Sequence, residues 1–158
     1  KDVAFHSALS DAHYTSEIMQ HLTRTQIEQN SSVDYFHTPD NRRSEIHLRY
    51  ATYTKYISKP FVSKVQAMKD RIVVSMPCCT CGKNAVKEIR WFASGSCNYL
   101  CLAKCADHGW LKGKIRLRQR EDEKYYAVKT LRFVNEEEVI KISERKKAQQ
   151  SKAHHPSS

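Results

Sequence analysis

The sequence predicts an α+β chain: a helix at the N-terminus, a small β-rich domain from residue 71, and a terminal helix. Three observations carry that expectation. Apolar residues recur at three- and four-residue intervals over residues 5–24, the spacing of one helix face. Six cysteines crowd into residues 78–105, where short apolar runs alternate with turn residues. The run Lys112 to Arg120 alternates strictly between basic and apolar or neutral residues, and a second β-like run, Tyr125 to Val134, follows a Glu121-Asp122-Glu123 turn.

Over residues 5–24, Ala8, Ala12, Thr15, Met19 and Leu22 would form a buried stripe that Leu9 and Ile18 broaden. Polar residues around Asn30, Ser31 and Ser32 end the pattern. Residues 33–70 hold aromatics without a clear period. Thr38-Pro39-Asp40-Asn41 and Ser58-Lys59-Pro60 read as breaks, and Val62 to Met68 as a short helix. Short strands are expected at Arg71–Met76, Ala85–Phe92 and Tyr99–Ala103, with a turn at Ser94-Gly95-Ser96. Lys112–Arg120 and Tyr125–Val134 should pair as a hairpin. Asn135 followed by Glu136, Glu137 and Glu138 is an N-cap with acids in the first turn, where the helix dipole favours them. A basic tail follows from Arg145. The expected organisation is therefore 1–30, a connecting region over 31–70, the β domain over 71–134, and a helix with tail over 135–158.

The 158 residues carry a formal net charge of +10, unevenly spread. Residues 1–70 hold 9 Lys/Arg against 8 Asp/Glu, and residues 71–158 hold 18 against 9. A concentrated positive field favours a polyanion, nucleic acid first. No apolar run approaches the length of a membrane span. The chain starts at Lys1 and shows no secretory leader, so it is read as a cytoplasmic fragment of a longer protein.

Clustered cysteines without secretory features point to metal more than to disulfides. Cys78-Cys79-Thr80-Cys81-Gly82 is a Cys-x-x-Cys-Gly knuckle, and Cys105-Ala106-Asp107-His108-Gly109 repeats it with histidine in the second place. The 23 residues between Cys81 and Cys105 suffice for a hairpin. This resembles a zinc ribbon, with Cys78, Cys81, Cys105 and His108 as ligands of a structural Zn²⁺ and Cys101 as alternative ligand in place of His108. Cys79 and Cys97 look like spares. On the strand beside it, Lys112, Lys114, Arg116, Arg118 and Arg120 share one face and could meet a phosphate backbone, while Ile115 and Leu117 face the core. Tyr125, Tyr126, Trp91 and Trp110 are candidate stacking platforms, with core packing favoured for Trp91.

The N-terminal run Phe5-His6-Ser7-Ala8-Leu9-Ser10-Asp11-Ala12, with Thr15 after it, resembles the last active-site motif of the DEDDh 3′–5′ exonucleases, among them RNase T and the epsilon subunit of DNA polymerase III. The resemblance covers about 20 residues. It implies the C-terminal helix of an RNase H-like α/β domain and hydrolysis of phosphodiester bonds at single-stranded 3′ ends of DNA or RNA. His6 would be the general base, and Asp11 a ligand of Mg²⁺ or Mn²⁺. The family's Asp-x-Glu-Thr motif is missing, as is a further upstream aspartate. One aspartate cannot hold two metal ions, so this chain by itself is expected to be inactive and the activity to belong to a longer parent. The alternative expectation is a non-enzymatic zinc-ribbon module that binds nucleic acid or a protein partner.

Overall fold

The computed structural model describes residues 8–23, 25 and 38–153. The chain divides into two compact units, Lys1–His37 and Thr38–Ser158. In the first, α1 spans Ala8–Gln20. The stripe expected to be buried is exposed at its described positions: Met19 is 49% exposed, and of the residues that broaden it Leu9 is 83% and Ile18 62%. Thr15 Oγ1 donates to the Asp11 carbonyl (2.7 Å), and His13 lies 3.5 Å from Glu17 one turn on. These are local contacts. The correction to the buried stripe has a simple cause, since a helix's apolar face needs a second surface to cover it.

The second unit is a six-stranded antiparallel sheet in the order β1-β2-β6-β5-β4-β3. Its strands are β1 (Ile46–Arg49), β2 (Tyr53–Ile57), β3 (Val86–Gly95), β4 (Asn98–Cys105), β5 (Gly109–Gln119) and β6 (Tyr125–Phe133). Helix α2 (Lys64–Lys69) follows β2, and α3 (Glu136–Ala153) follows β6. The protein is thus α+β, with three α-helices among the described residues.

The segment expected to connect domains, 31–70, supplies β1 and β2 instead. Tyr53–Ile57 pairs along β6 from Arg132 to Val128, and β1 pairs with β2. Asn41 caps a 3₁₀ turn over Arg42–Ser44 through its side chain, as its turn signal suggests. Arg42 then bridges Glu45 and Asp70, tying the segment to the rest of the unit. Ser63 caps α2 by accepting from the Gln66 amide (3.2 Å), and Gln66 Oε1 accepts from the Val62 amide (2.9 Å).

Residues 71–76 are not the strand their apolar content predicts. The Asp70 carboxylate accepts from the amides of Ile72 (3.0 Å) and Val73 (3.1 Å), which curls the chain into a turn before any ladder can form. Val73 is still fully buried. Lys129, on β6 and 3% exposed, staples this turn to the sheet. Its ammonium donates to the carbonyls of Ile72 (2.5 Å) and Ser75 (3.0 Å) and to Ser75 Oγ (3.0 Å). Burial, with Lys87 adding to it, lowers its pKa to about 7.

Two layers flank the sheet. On one face, the chain between β2 and β3 covers Cys101, Ala103, Leu111, Ile115, Leu117, Ala127 and Leu131 with Phe61, Ala67, Val73, Met76 and Cys79. On the other, Ile142 of α3 packs with Phe92, Leu100 and Leu102. β4 lies under both layers, so Leu100 to Ala103 are buried without alternation.

Gly113 is set by the first layer. A Cβ built there would lie 2.5 Å from Trp91 Cη2 and 2.6 Å from Met76 Sδ. The indole cannot retreat easily, because its Nε1 donates to the Val74 carbonyl (2.9 Å). Gly113→Ala should therefore destabilise the sheet by about 1–3 kcal/mol. A thermal melt of the variant checks this; an unshifted midpoint would show that the ring has room to move.

Candidate metal centre and nucleic-acid interface

The two knuckles are built by different local means. In the first, Gly82 N donates to the Cys78 carbonyl (3.0 Å) and Cys78 N to the Lys83 carbonyl (2.8 Å). Gly82 takes a φ of 73°, open to glycine at little cost. The second is the β4–β5 turn itself. Cys105 pairs with Gly109, which takes a φ of 86° and lets β5 begin directly behind His108.

The structure brings Cys78, Cys81, Cys105 and His108 together, with their ligand atoms all within 4.8 Å of one another. Cys81 Sγ lies 3.8 Å from Cys105 Sγ, and Cys105 Sγ lies 3.6 Å from His108 Nδ1. Zn–S bonds of about 2.3 Å in a tetrahedron place sulfurs about 3.8 Å apart, so the spacing and the donor set suit such an ion. His108 and the backbone at Asp107 hold the Cys105 thiol below its ordinary pKa. Burial opposes ionisation of Cys78, but the amides of Cys81 and Thr80 outweigh it and its pKa is also lowered. Cys81 goes the other way: the Lys83 amide lowers its thiol, but burial and the neighbouring Cys78 and Cys105 sulfurs outweigh that and raise it. A bound cation would favour the thiolate form of all three. This cluster could hold a metal ion.

Cys101, the alternative ligand, belongs to no such cluster. It lies four residues before Cys105 on the same strand, roughly 13 Å away at strand rise. It is fully buried, and burial pushes its thiol up to about 12. Cys79 is also buried, its Sγ 3.3 Å from the Leu131 carbonyl, and all six cysteines are free thiols.

On β5 the basic alternation holds. Leu111, Gly113, Ile115 and Leu117 are buried, while Arg116 and Arg118 are exposed and Lys112 and Lys114 half-buried on the other side. Lys112 Nζ meets Glu138 Oε1 on α3 at 2.5 Å, and Arg132 reaches the same oxygen at 2.6 Å. Arg120 is held by Asp40 (2.9 Å) and Asp122 (3.5 Å). The strand's outer cations are therefore compensated. Its middle three, Lys114, Arg116 and Arg118, have no acidic partner among the described residues.

Two further cations join them that the sequence does not single out. Lys55 pairs across β6 in line with Lys114, through Thr130, and Arg145 comes from α3. Burial, then Arg116, Lys112 and Arg145, lower the pKa of Lys114. Burial, then Arg118 and Arg116, do the same to Lys55. Burial is the larger cause in both, and the neighbouring cations on the same sheet face add to it. A groove of about 540 Å³ runs there, lined by Lys112, Lys114, Arg116, Arg118 and Arg145 with Asn98 and other neutral residues. Lys55 could be found only through strand pairing. Arg145 stands three residues after buried Ile142, a helical spacing that hints at its position.

Among the stacking candidates, Trp91 is partly buried against the core under the first layer, and Trp110 packs beside Leu100 and Leu102, with Lys104 Nζ 5.2 Å from its ring. Tyr125 lies under Lys64 (5.4 Å), and Tyr126 stands opposite Arg118 on the basic face.

The DEDDh-like pair cannot be assembled in the same way. His6 lies outside the described residues. Asp11 sits in the first turn of α1 and is exposed, and it joins no group of metal-binding side chains among the described residues. No protein-family model, curated protein or solved structure matches the chain. No described helix is long and apolar enough to cross a membrane.

Proposed function

We propose that the sheet unit is a zinc-stabilised nucleic-acid-binding module, carried by a DEDDh-type 3′–5′ exonuclease of which this chain is the C-terminal part. The observation that carries the binding half is the row Lys114, Arg116 and Arg118, which has no acidic partner among the described residues and is joined on its face by Lys55 and Arg145. Such a surface is costly in isolation. A phosphate backbone supplies the missing charge and releases counterions on contact. The Cys78, Cys81, Cys105 and His108 cluster suits zinc in a structural role, because all four positions of a tetrahedron are filled by protein. Free thiols fit a reducing, cytoplasmic setting.

The nuclease half rests on the N-terminal motif. By that resemblance His6 takes the proton from the attacking water, and Asp11 is one ligand of a Mg²⁺ or Mn²⁺ pair whose other carboxylates lie elsewhere in the parent. The exposed Leu9 and Ile18 support it, since they would be covered by such a domain. The second reading, a binding module without enzymatic role, is favoured by the sheet unit having its own core.

The experiment is a digestion of end-labelled single strands by the full-length parent with Mg²⁺. Loss of the activity in His6→Ala and Asp11→Asn is expected, by roughly 100-fold or more. Unchanged rates would leave only the binding module, which is tested through Arg116 and Arg118 below.

A further inference from the structure

A second groove lies on the opposite face of the sheet, at its β3 edge. Tyr99 stands across from Ile115 and Lys87 across from Ala103, both on the side away from Arg116. The groove is open to solvent and has a volume of about 920 Å³, within the size range of small-molecule sites. Arg71, Lys87 and Arg90 line it with Trp91 and Tyr99, and no acidic residue does. None of the three cations has an acidic partner among the described residues. Trp91 is held rigid by the Val74 carbonyl and by its close approach to Gly113.

The chemistry of these walls narrows the occupant. β3 ends the sheet, so its outer edge could in principle take an added peptide strand. Its register against β4 shifts three times between Lys87 and Gly95, which breaks the straight edge such pairing needs. What remains is a fixed indole and a nearby phenol beside cations with no acidic partner among the described residues. That combination suits a ligand carrying a planar base and a phosphate together.

We propose that this groove is a second binding site, for a nucleotide unit of a single nucleic-acid strand, with its base against Trp91 or Tyr99 and its phosphate held by Arg71, Lys87 and Arg90. It is separate from the β5 face and does not depend on it.

The chain has two tryptophans, so Trp110→Phe leaves Trp91 as the reporter. This variant, carrying Arg116→Glu and Arg118→Glu to silence the other face, is titrated with a short oligothymidylate. Trp91 emission should be quenched, and Arg71→Glu with Arg90→Glu should weaken that response roughly tenfold or more. Thymidine and inorganic phosphate should each compete worse than the strand. Unchanged emission, or equal competition by phosphate or polyglutamate, overturns the site while leaving the β5 reading intact. A second measurement needs no Trp110 variant: a 4-thiothymidine strand photo-crosslinked to the chain carrying Arg116→Glu and Arg118→Glu should label Trp91 or Tyr99 themselves, since the basic-face groove touches Ser94, Cys97, Asn98 and Leu100 of the same stretch. Labelling confined to other residues also overturns it.

Discussion

Cys105→Ser is expected to release the metal and to cost the sheet unit most of its stability. Structural zinc contributes on the order of 10–16 kcal/mol of apparent binding energy in small domains, against net domain stabilities of about 5–15 kcal/mol. This unit has a core of its own, so the loss should fall short of the full figure and yet exceed that of an ordinary core substitution. Cys105 is the severest choice, since its sulfur lies 3.8 Å from Cys81 Sγ and 3.6 Å from His108 Nδ1. His108 is exposed, and His108→Ala keeps three thiolates, so a smaller loss is expected there. Cys97→Ala should leave the metal in place. Native mass spectrometry gives zinc per chain, and melting curves with and without chelator give the stability change. Reduced protein that binds no zinc, or a melt that chelator leaves unmoved, would remove the metal from the account.

Replacing Arg116 and Arg118 together with glutamate should weaken binding of single strands roughly 10- to 100-fold at about 0.1 M salt. It should also flatten the salt dependence by about 1.4 in log–log slope, because each phosphate contact on a single strand contributes about 0.7. Lys112→Ala with Arg120→Ala is the informative comparison. It removes the same number of cations, but Lys112 is engaged by Glu138 and Arg120 by Asp40. A much smaller loss of affinity is expected from that pair. Anisotropy titrations of a labelled strand across a salt series measure both. Equal effects from the two pairs would mean that total charge, not the uncompensated middle of β5, governs binding.

Much of the sheet was legible because its signals are local. The alternation in β5, the acidic turn after it and the Asn135 cap each depend on neighbours in sequence, and all three appear in the structure. Asn135 Oδ1 accepts from the Glu138 amide at 3.0 Å, and Lys112 pairs with Arg132 and Gln119 with Tyr125 as the hairpin requires. The knuckles were legible for the same reason, since spacing and glycines are written in the chain. What escaped is long-range. β1 and β2 are short, and β2 is set by pairing with β6, some seventy residues later in sequence, with β1 added outside β2. The apolar run at 71–76 was misleading because Asp70, just before it, captures the amides that a strand would offer. The acidic partners of Lys112 and Arg120 come from α3 and from the segment before β1, so no strand-level reading separates compensated cations from bare ones.

The second knuckle has a consequence beyond stability. Because it is also the β4–β5 turn, the pairing of Cys105 with Gly109 is the origin from which every position on β5 is counted. Slip that turn by one residue and alternation exchanges the faces: Ile115 and Leu117 move outward, and Lys114 and Arg116 move toward the core. A metal gripping Cys105 and His108 would therefore act as a register pin, deciding which side of the strand is charged as well as whether the strand forms.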